Sequence, residues 1–93
     1  MSAPSLQSAY LNIKRWHRHI TITGGAGGGD GEGYINFESG GIAATINEDG
    51  GELSLKFSGD ASGDTLDGLR RWALNYRRMH NFCRDIFREM GAL

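Results

Sequence analysis

Few side chains in this 93-residue chain have the chemistry for catalysis or metal binding, and they are scattered. His17 and His19 are two apart, so on a strand both imidazoles would point to one side. His80 and Cys83 are three apart, so on a helix they share a face. Four such groups have the donor set of a tetrahedral zinc site. Their neighbours argue against it. His17 and His19 sit among Arg15, Trp16 and Arg18, a positive surround that disfavours a cation, and His80 and Cys83 fall inside an apolar stripe where a buried cysteine is ordinary. Cys83 with His80 is also the one candidate for nucleophilic catalysis. Catalytic Cys and His normally come from separate elements that meet at a cleft, not from one helix face. The acidic groups Glu48-Asp49 and Asp60/Asp64 flank turns, and turn chemistry accounts for them without general acid–base catalysis. No catalytic residue, metal ligand or cofactor site is assigned, and the expectation is a protein that is not an enzyme.

The Gly-rich run over 24–33 invites a phosphate-loop reading and fails the test. No G-x-G-x-x-G occurs in it, no Lys-Ser/Thr follows, and the next residues, Tyr34-Ile-Asn-Phe, read as a strand and not as a helix N-terminus. Asp30 and Glu32 would repel phosphate. A calcium-binding glycine repeat misses its spacing by one residue and has only one copy.

Arginine is the sharpest signal. Arg70, Arg77, Arg84 and Arg88 form one stripe on a helix, with Arg71 and Arg78 beside it and Leu74 nearby as an exposed apolar residue. Such a stripe can track phosphates or acidic groups, although Asp67, Asp85 and Glu89 interrupt it. The net charge of −1 hides a segregation: residues 1–29 carry +3, residues 30–64 carry −7, and residues 65–93 carry +3. These blocks can attract one another within one fold or present two faces to different partners. An acidic partner-binding rim is expected from Asp30, Glu32, Glu48, Asp49 and Glu52. The alternative is a phosphate- or acid-binding surface of Arg70, Arg77, Arg78, Arg84 and Arg88.

The elements that must position these groups are legible as periods. Residues 5–15 read as a short helix, with Leu6, Tyr10 and Ile13 on one face and Ser2 or Ser5 as its cap, although Leu11 and Ile13 also alternate as in a strand. Four strands are expected at about 18–23, 34–38, 42–47 and 52–57, each with one apolar face: Ile20 and Ile22; Ile35 and Phe37; Ile42, Ala44 and Ile46; Leu53, Leu55 and Phe57. Glycine loses too much backbone entropy for 24–33 to order by itself, so a mobile loop is expected there. Short separators, Ser39-Gly40-Gly41 and Glu48-Asp49-Gly50-Gly51, with Asp49-Gly50 supplying the positive φ values of a tight turn, demand antiparallel neighbours, hence a four-stranded meander. Asp64 or Thr65 caps a long helix over about 65–90, with Leu69, Ala73, Tyr76, His80, Cys83 and Phe87 along its apolar line and Gly91 at its end. The fold class is α+β: an antiparallel four-stranded meander packed under a long C-terminal helix, with a short N-terminal helix, in one domain. The apolar arc covers about half the helix, so part of it is expected to meet helix 1 or a second copy of the chain; Trp72, Met79, Phe82 and Ile86, which lean away from that line, are the candidates for a homodimer interface.

One cysteine excludes an internal disulfide. The chain has no long apolar run, and its first residues lack the basic and apolar regions of a secretory signal, so no membrane contact and a cytoplasmic location are expected. In size, in its hairpin-based α+β organisation, and in the acidic turns Asp30-Gly-Glu and Glu48-Asp-Gly-Gly, the chain resembles small phage-encoded inhibitors of the anti-CRISPR type. The resemblance implies a stoichiometric binder in a bacterial host cell that occludes a nucleic-acid-binding or regulatory surface of an effector complex such as CRISPR–Cas. It carries over no functional residue, and the small net charge departs from members that mimic a DNA duplex. The alternative function is a nucleic-acid-binding accessory protein that contacts phosphates through the Arg-rich helix.

Overall fold

A computed structural model describes residues 5–27, 32–58 and 65–92. Helix α1 spans Leu6–Ile13 and runs into a 3-10 turn at Lys14–Trp16; strands β1 (Thr21–Gly27), β2 (Glu32–Ser39), β3 (Ile42–Asp49) and β4 (Glu52–Ser58) follow, then helix α2 (Leu66–Glu89). The strands form one antiparallel sheet in the order β1-β2-β3-β4, the expected meander. No helix among the described residues is long and apolar enough to cross a membrane.

Local chemistry sets the boundaries. Ser5 accepts from the Ser8 N–H while Ser8 returns the bond to the Ser5 backbone, a reciprocal cap that starts α1. Thr65 caps α2 from one side only, its hydroxyl accepting from the Gly68 N–H at 3.0 Å. At the far end Gly91 turns left-handed (φ 74°), and the Gly91 and Ala92 N–H groups close back onto Arg88 and Phe87. The hairpin turns are Gly40-Gly41 and Gly50-Gly51, all four at positive φ, as two-residue turns of this hand require. The second turn is therefore centred one residue later than an Asp49-Gly50 reading places it, and Asp49 closes β3.

Two sequence expectations are corrected. The first strand begins at Thr21, not at 18: the Ile20 N–H bonds back to the His17 carbonyl, and this turn throws Arg18 and His19 outward. Gly24–Gly27 is not loop but strand. It pairs with Gly33–Asn36 of β2 after a bulge at Thr23, because a backbone ladder needs no side chains when a neighbouring strand supplies the partners. A Cβ on Gly25 would lie 3.0 Å from the Tyr34 carbonyl oxygen, so the glycine also permits close approach. At the other end of the expected loop Glu32 and Gly33 are strand as well, opening β2, and 28–31 lie outside the described residues.

The core forms between the helices and one face of the sheet. Ile35 and Phe37 of β2, Ile42, Ala44 and Ile46 of β3, and Leu6, Ala9 and Ile13 of α1 are buried against Met79, Phe82, Cys83 and Ile86 of α2. The Phe82 ring is fully enclosed, 4.7 Å from Phe37 and edge-on to Tyr10 and His17. This overturns the expected dimer surface. Met79, Phe82 and Ile86 face the chain's own sheet, and Trp72 is half-buried, stacked on Tyr76 at 5.2 Å. The expected core line rotates outward in consequence: Ala73, Tyr76 and His80 are exposed, and Cys83 and Phe87 mark its boundary.

Asn75 explains the rotation. This buried amide of α2 accepts from Ser39 Oγ at 2.9 Å and donates to the Arg71 carbonyl at 2.9 Å, and it sits where a Cβ on Gly40 would stand. It fixes α2 to the β2–β3 turn, so α2 lies chiefly over β2 and β3 and meets β4 only at its margin, through Tyr76 on Phe57.

Candidate functional site

Strand register decides which charged groups meet. Glu32, Asp49 and Glu52 are direct partners across β2, β3 and β4, and all three are exposed on the sheet face away from the helices. At the usual strand spacing they form a carboxylate row about 10 Å long. The next row on that face holds Tyr34, Asn47 and Ser54, with Tyr34 39% exposed. Like charges directly opposite one another cost folding stability, so this row is a local conflict within the sheet.

Of the expected acidic rim, the structure thus brings together Glu32, Asp49 and Glu52. Glu48 does not belong with them: it points to the helix side and is only 8% exposed. The sequence held the signal, since Glu48 continues the Ile42, Ala44, Ile46 alternation. Asp30 lies outside the described residues.

The positive groups collect on the opposite side of the molecule. Arg70, Arg77, Arg84 and Arg88 are exposed on the outward face of α2, Arg78 is half-buried beside them, and Leu74 is exposed, as the stripe implies. Among the described residues, Arg84 is the one α2 arginine within 4.0 Å of a carboxylate, its Nε lying 3.5 Å from Asp85. Local ion pairing within the helix therefore does not account for the stripe. Sequence reasoning missed that the N-terminal basic segment joins this side. His17 Nε2 donates to Asp85 Oδ2 at 2.7 Å and Asn12 donates to Glu89 at 3.3 Å, which fastens the 3-10 turn to the second half of α2. Trp16 stands 63% exposed there, with the Arg15 guanidinium 4.1 Å above its ring.

The histidines and the cysteine do not assemble into one site. His17 is engaged with Asp85, and His19 is exposed on the turn before β1; His80 and Cys83 border one depression on α2, with His80 exposed and Cys83 buried. Burial pushes the Cys83 thiol up to about 12, which removes the thiolate a nucleophile or metal ligand needs. Among the described residues no group of three metal-ligating side chains converges. A cleft of about 440 Å³ lies between α1 and the β1–β2 hairpin, bounded by Gln7, Tyr10, Leu11, Ile22 and Ile35, and none of the described residues lining it is charged. Comparison with protein-family models, with curated proteins and with solved structures found no match.

Proposed function

We propose that this chain is a non-catalytic protein-binding module whose open sheet face docks on a basic surface of another protein. The observation that carries the reading is the register of Glu32, Asp49 and Glu52. Three carboxylates held side by side oppose folding, and residues that break a local folding rule mark functional positions. A Lys/Arg-rich partner surface relieves the repulsion, and Tyr34 beside the row supplies an aromatic anchor of the kind that dominates interfaces. A basic surface of this sort is what nucleic-acid-handling complexes present. The module would then act as a stoichiometric inhibitor that covers such a groove, in the manner of the phage-encoded inhibitors it resembles.

The test is paired charge reversal. Glu32→Lys with Asp49→Lys is expected to raise thermal stability while abolishing capture of the basic partner from bacterial lysate; added nucleic acid should compete with wild-type capture. Retention of the same partners by the doubly reversed protein would refute the reading.

A second reading has its own observation, the α2 arginines other than Arg84, which meet no carboxylate among the described residues, together with Arg15 and the exposed Trp16. Phosphate contacts with an aromatic platform describe a nucleic-acid surface. Binding to labelled single- and double-stranded nucleic acid across a salt series separates the two. Steeply salt-dependent binding that is lost on Arg77→Glu with Arg88→Glu supports this second reading; no binding at low salt removes it.

A further inference from the structure

The placement of α2 over β2 and β3 leaves β4 with an uncovered apolar face. Leu55 is 38% exposed and Phe57 40% exposed on the side that faces the core elsewhere in the sheet. The outward-rotated line of α2 continues this surface: Phe57 stacks on Tyr76 at 5.5 Å, and Leu55 shares a depression with His80, Cys83 and Phe87. β4 is also the last strand of the sheet. It pairs residue for residue with β3 and has no bulge and no proline, the usual protections of an edge.

Hairpin geometry says which backbone groups that edge offers. In a hairpin closed by the two-residue Gly50-Gly51 turn, the flanking pair Asp49 and Glu52 is hydrogen-bonded, and the pattern alternates from there. Glu52, Ser54 and Lys56 therefore turn their N–H and C=O groups to β3, while Leu53, Leu55 and Phe57 turn theirs to the open edge. The residues with an exposed apolar side chain are the ones with an open backbone.

We propose that β4 pairs antiparallel with β4 of a second copy about a two-fold axis at Ser54, joining two four-stranded sheets into one of eight strands. The occupant is argued from the strand's own self-complementarity. About Ser54, Leu53 faces the partner's Leu55 on the apolar side, and Glu52 faces the partner's Lys56 on the polar side, each twice by symmetry. Phe57 falls opposite the partner's Gly51, where no side chain competes for the space. Lys56, the one cation of the strand, is thereby answered by an anion, which a foreign strand has no reason to supply. The interface uses the edge of the sheet and the helix side of β4 and shares one residue, Glu52, with the acidic row; the Glu32→Lys with Asp49→Lys variant spares Glu52 and so tells the two surfaces apart.

Light scattering and sedimentation over a concentration series test this. The expected result is a particle of twice the 10.2 kDa chain mass. Glu52→Lys alone and Lys56→Glu alone each place like charges opposite one another twice, and each should weaken self-association by roughly ten- to thirtyfold. Mixing the two singly reversed proteins should restore a heterodimer, which native mass spectrometry resolves. All these positions are exposed, so folding is not at risk. Leu55→Asp should give a folded monomer, with its circular dichroism unchanged. A wild-type chain that stays at monomer mass at millimolar concentration overturns the proposal, whether or not another partner's strand occupies the edge. So does a dimer that ignores both charge reversals and Leu55→Asp.

Discussion

The first edge strand, β1, carries three glycines and a bulge at Thr23, and α1 packs against it. The opposite edge, β4, is regular and rich in large apolar side chains, and α2 meets it only at its margin, where Phe57 stacks on Tyr76. Composition alone suggests the reverse, because the glycine-rich strand looks weak and the apolar strand looks central. What separates them is where the helices lie. α1 and the inner arc of α2 enclose β2 and β3 around Phe37 and Phe82; β1 and β4 each lend this core one half-buried side chain, Ile22 and Leu53, and Leu55 and Phe57 of β4 stay exposed. A strand can thus be well formed with little side-chain burial when its hydrogen bonds are satisfied, and an apolar strand can end up exposed.

The strongest way to break this contrast is to remove an aromatic ring on each side. Phe82→Ala empties the enclosed centre and should cost about 3–5 kcal/mol of unfolding free energy. Phe57→Ala removes a ring that is already 40% exposed and should cost about 1 kcal/mol in the monomer. Urea denaturation at low protein concentration measures both. Equal losses would mean that β4 is as much a part of the core as β2.

The next effect lies at the point that sets the position of α2. Gly40→Ala drives a Cβ into the Asn75 side-chain amide at a φ of +56°, whereas Gly41→Ala meets no atom within 4 Å and bears only the strain of its own φ. Gly41→Ala should cost about 1–2 kcal/mol, and Gly40→Ala clearly more. Asn75→Ala alone strands the Ser39 hydroxyl and should cost about 1–3 kcal/mol. The double variant Gly40→Ala with Asn75→Ala should be more stable than the sum of its parts, because the clash is gone. Strict additivity would show that Asn75 does not seat the helix on the turn.

These positions also show what was legible in the sequence. The meander followed from period-two alternation and the glycine pairs, and each helix cap was narrowed to two residues, of which the structure uses Ser5 rather than Ser2 and Thr65 rather than Asp64. The choice of which half of α2 faces the sheet was not legible. Its apolar arc is wide enough for either side, and the decision rests on Asn75, a polar residue that no hydrophobic pattern selects. The β1 glycines were misread because their partners sit on β2, and intrinsic propensity does not register a ladder. The acidic row was half legible: its members were named, but placing the turn at Asp49-Gly50 instead of Gly50-Gly51 hid that Asp49 and Glu52 are partners.

Cys83 sharpens the contrast where the core meets the open valley under Leu55. Its thiol is held up to about 12, against an ordinary value of 9.0, because burial disfavours the thiolate. Below pH 9 both the folded and the unfolded chain keep this proton, so the group adds no pH dependence. Above pH 9 the unfolded chain ionises and the folded one does not, so stability falls as pH rises. Thermal unfolding from pH 8 to 10.5 should show this loss, and Cys83→Val should flatten it. A thiol reagent at pH 8 should label Cys83 in urea far faster than in native buffer. Rapid native labelling would mean that the valley reaches the core.

The smallest effect tests the other edge. Gly24 and Gly25 are neighbours on β1 with different surroundings. A Cβ at Gly24 would meet the Asn36 side chain at 3.4 Å, an ordinary contact, while one at Gly25 would press on the Tyr34 carbonyl at 3.0 Å. Neither residue has a positive φ. Gly24→Ala should therefore stabilise the protein by about 0.4–1 kcal/mol, through the lost freedom of the unfolded chain alone. Gly25→Ala has the same entropic gain, but it must displace a carbonyl that is fixed in the β2 ladder, so it should be neutral or destabilising. If both substitutions stabilise equally, the glycines of β1 serve no close approach, and this edge keeps them for a reason other than packing.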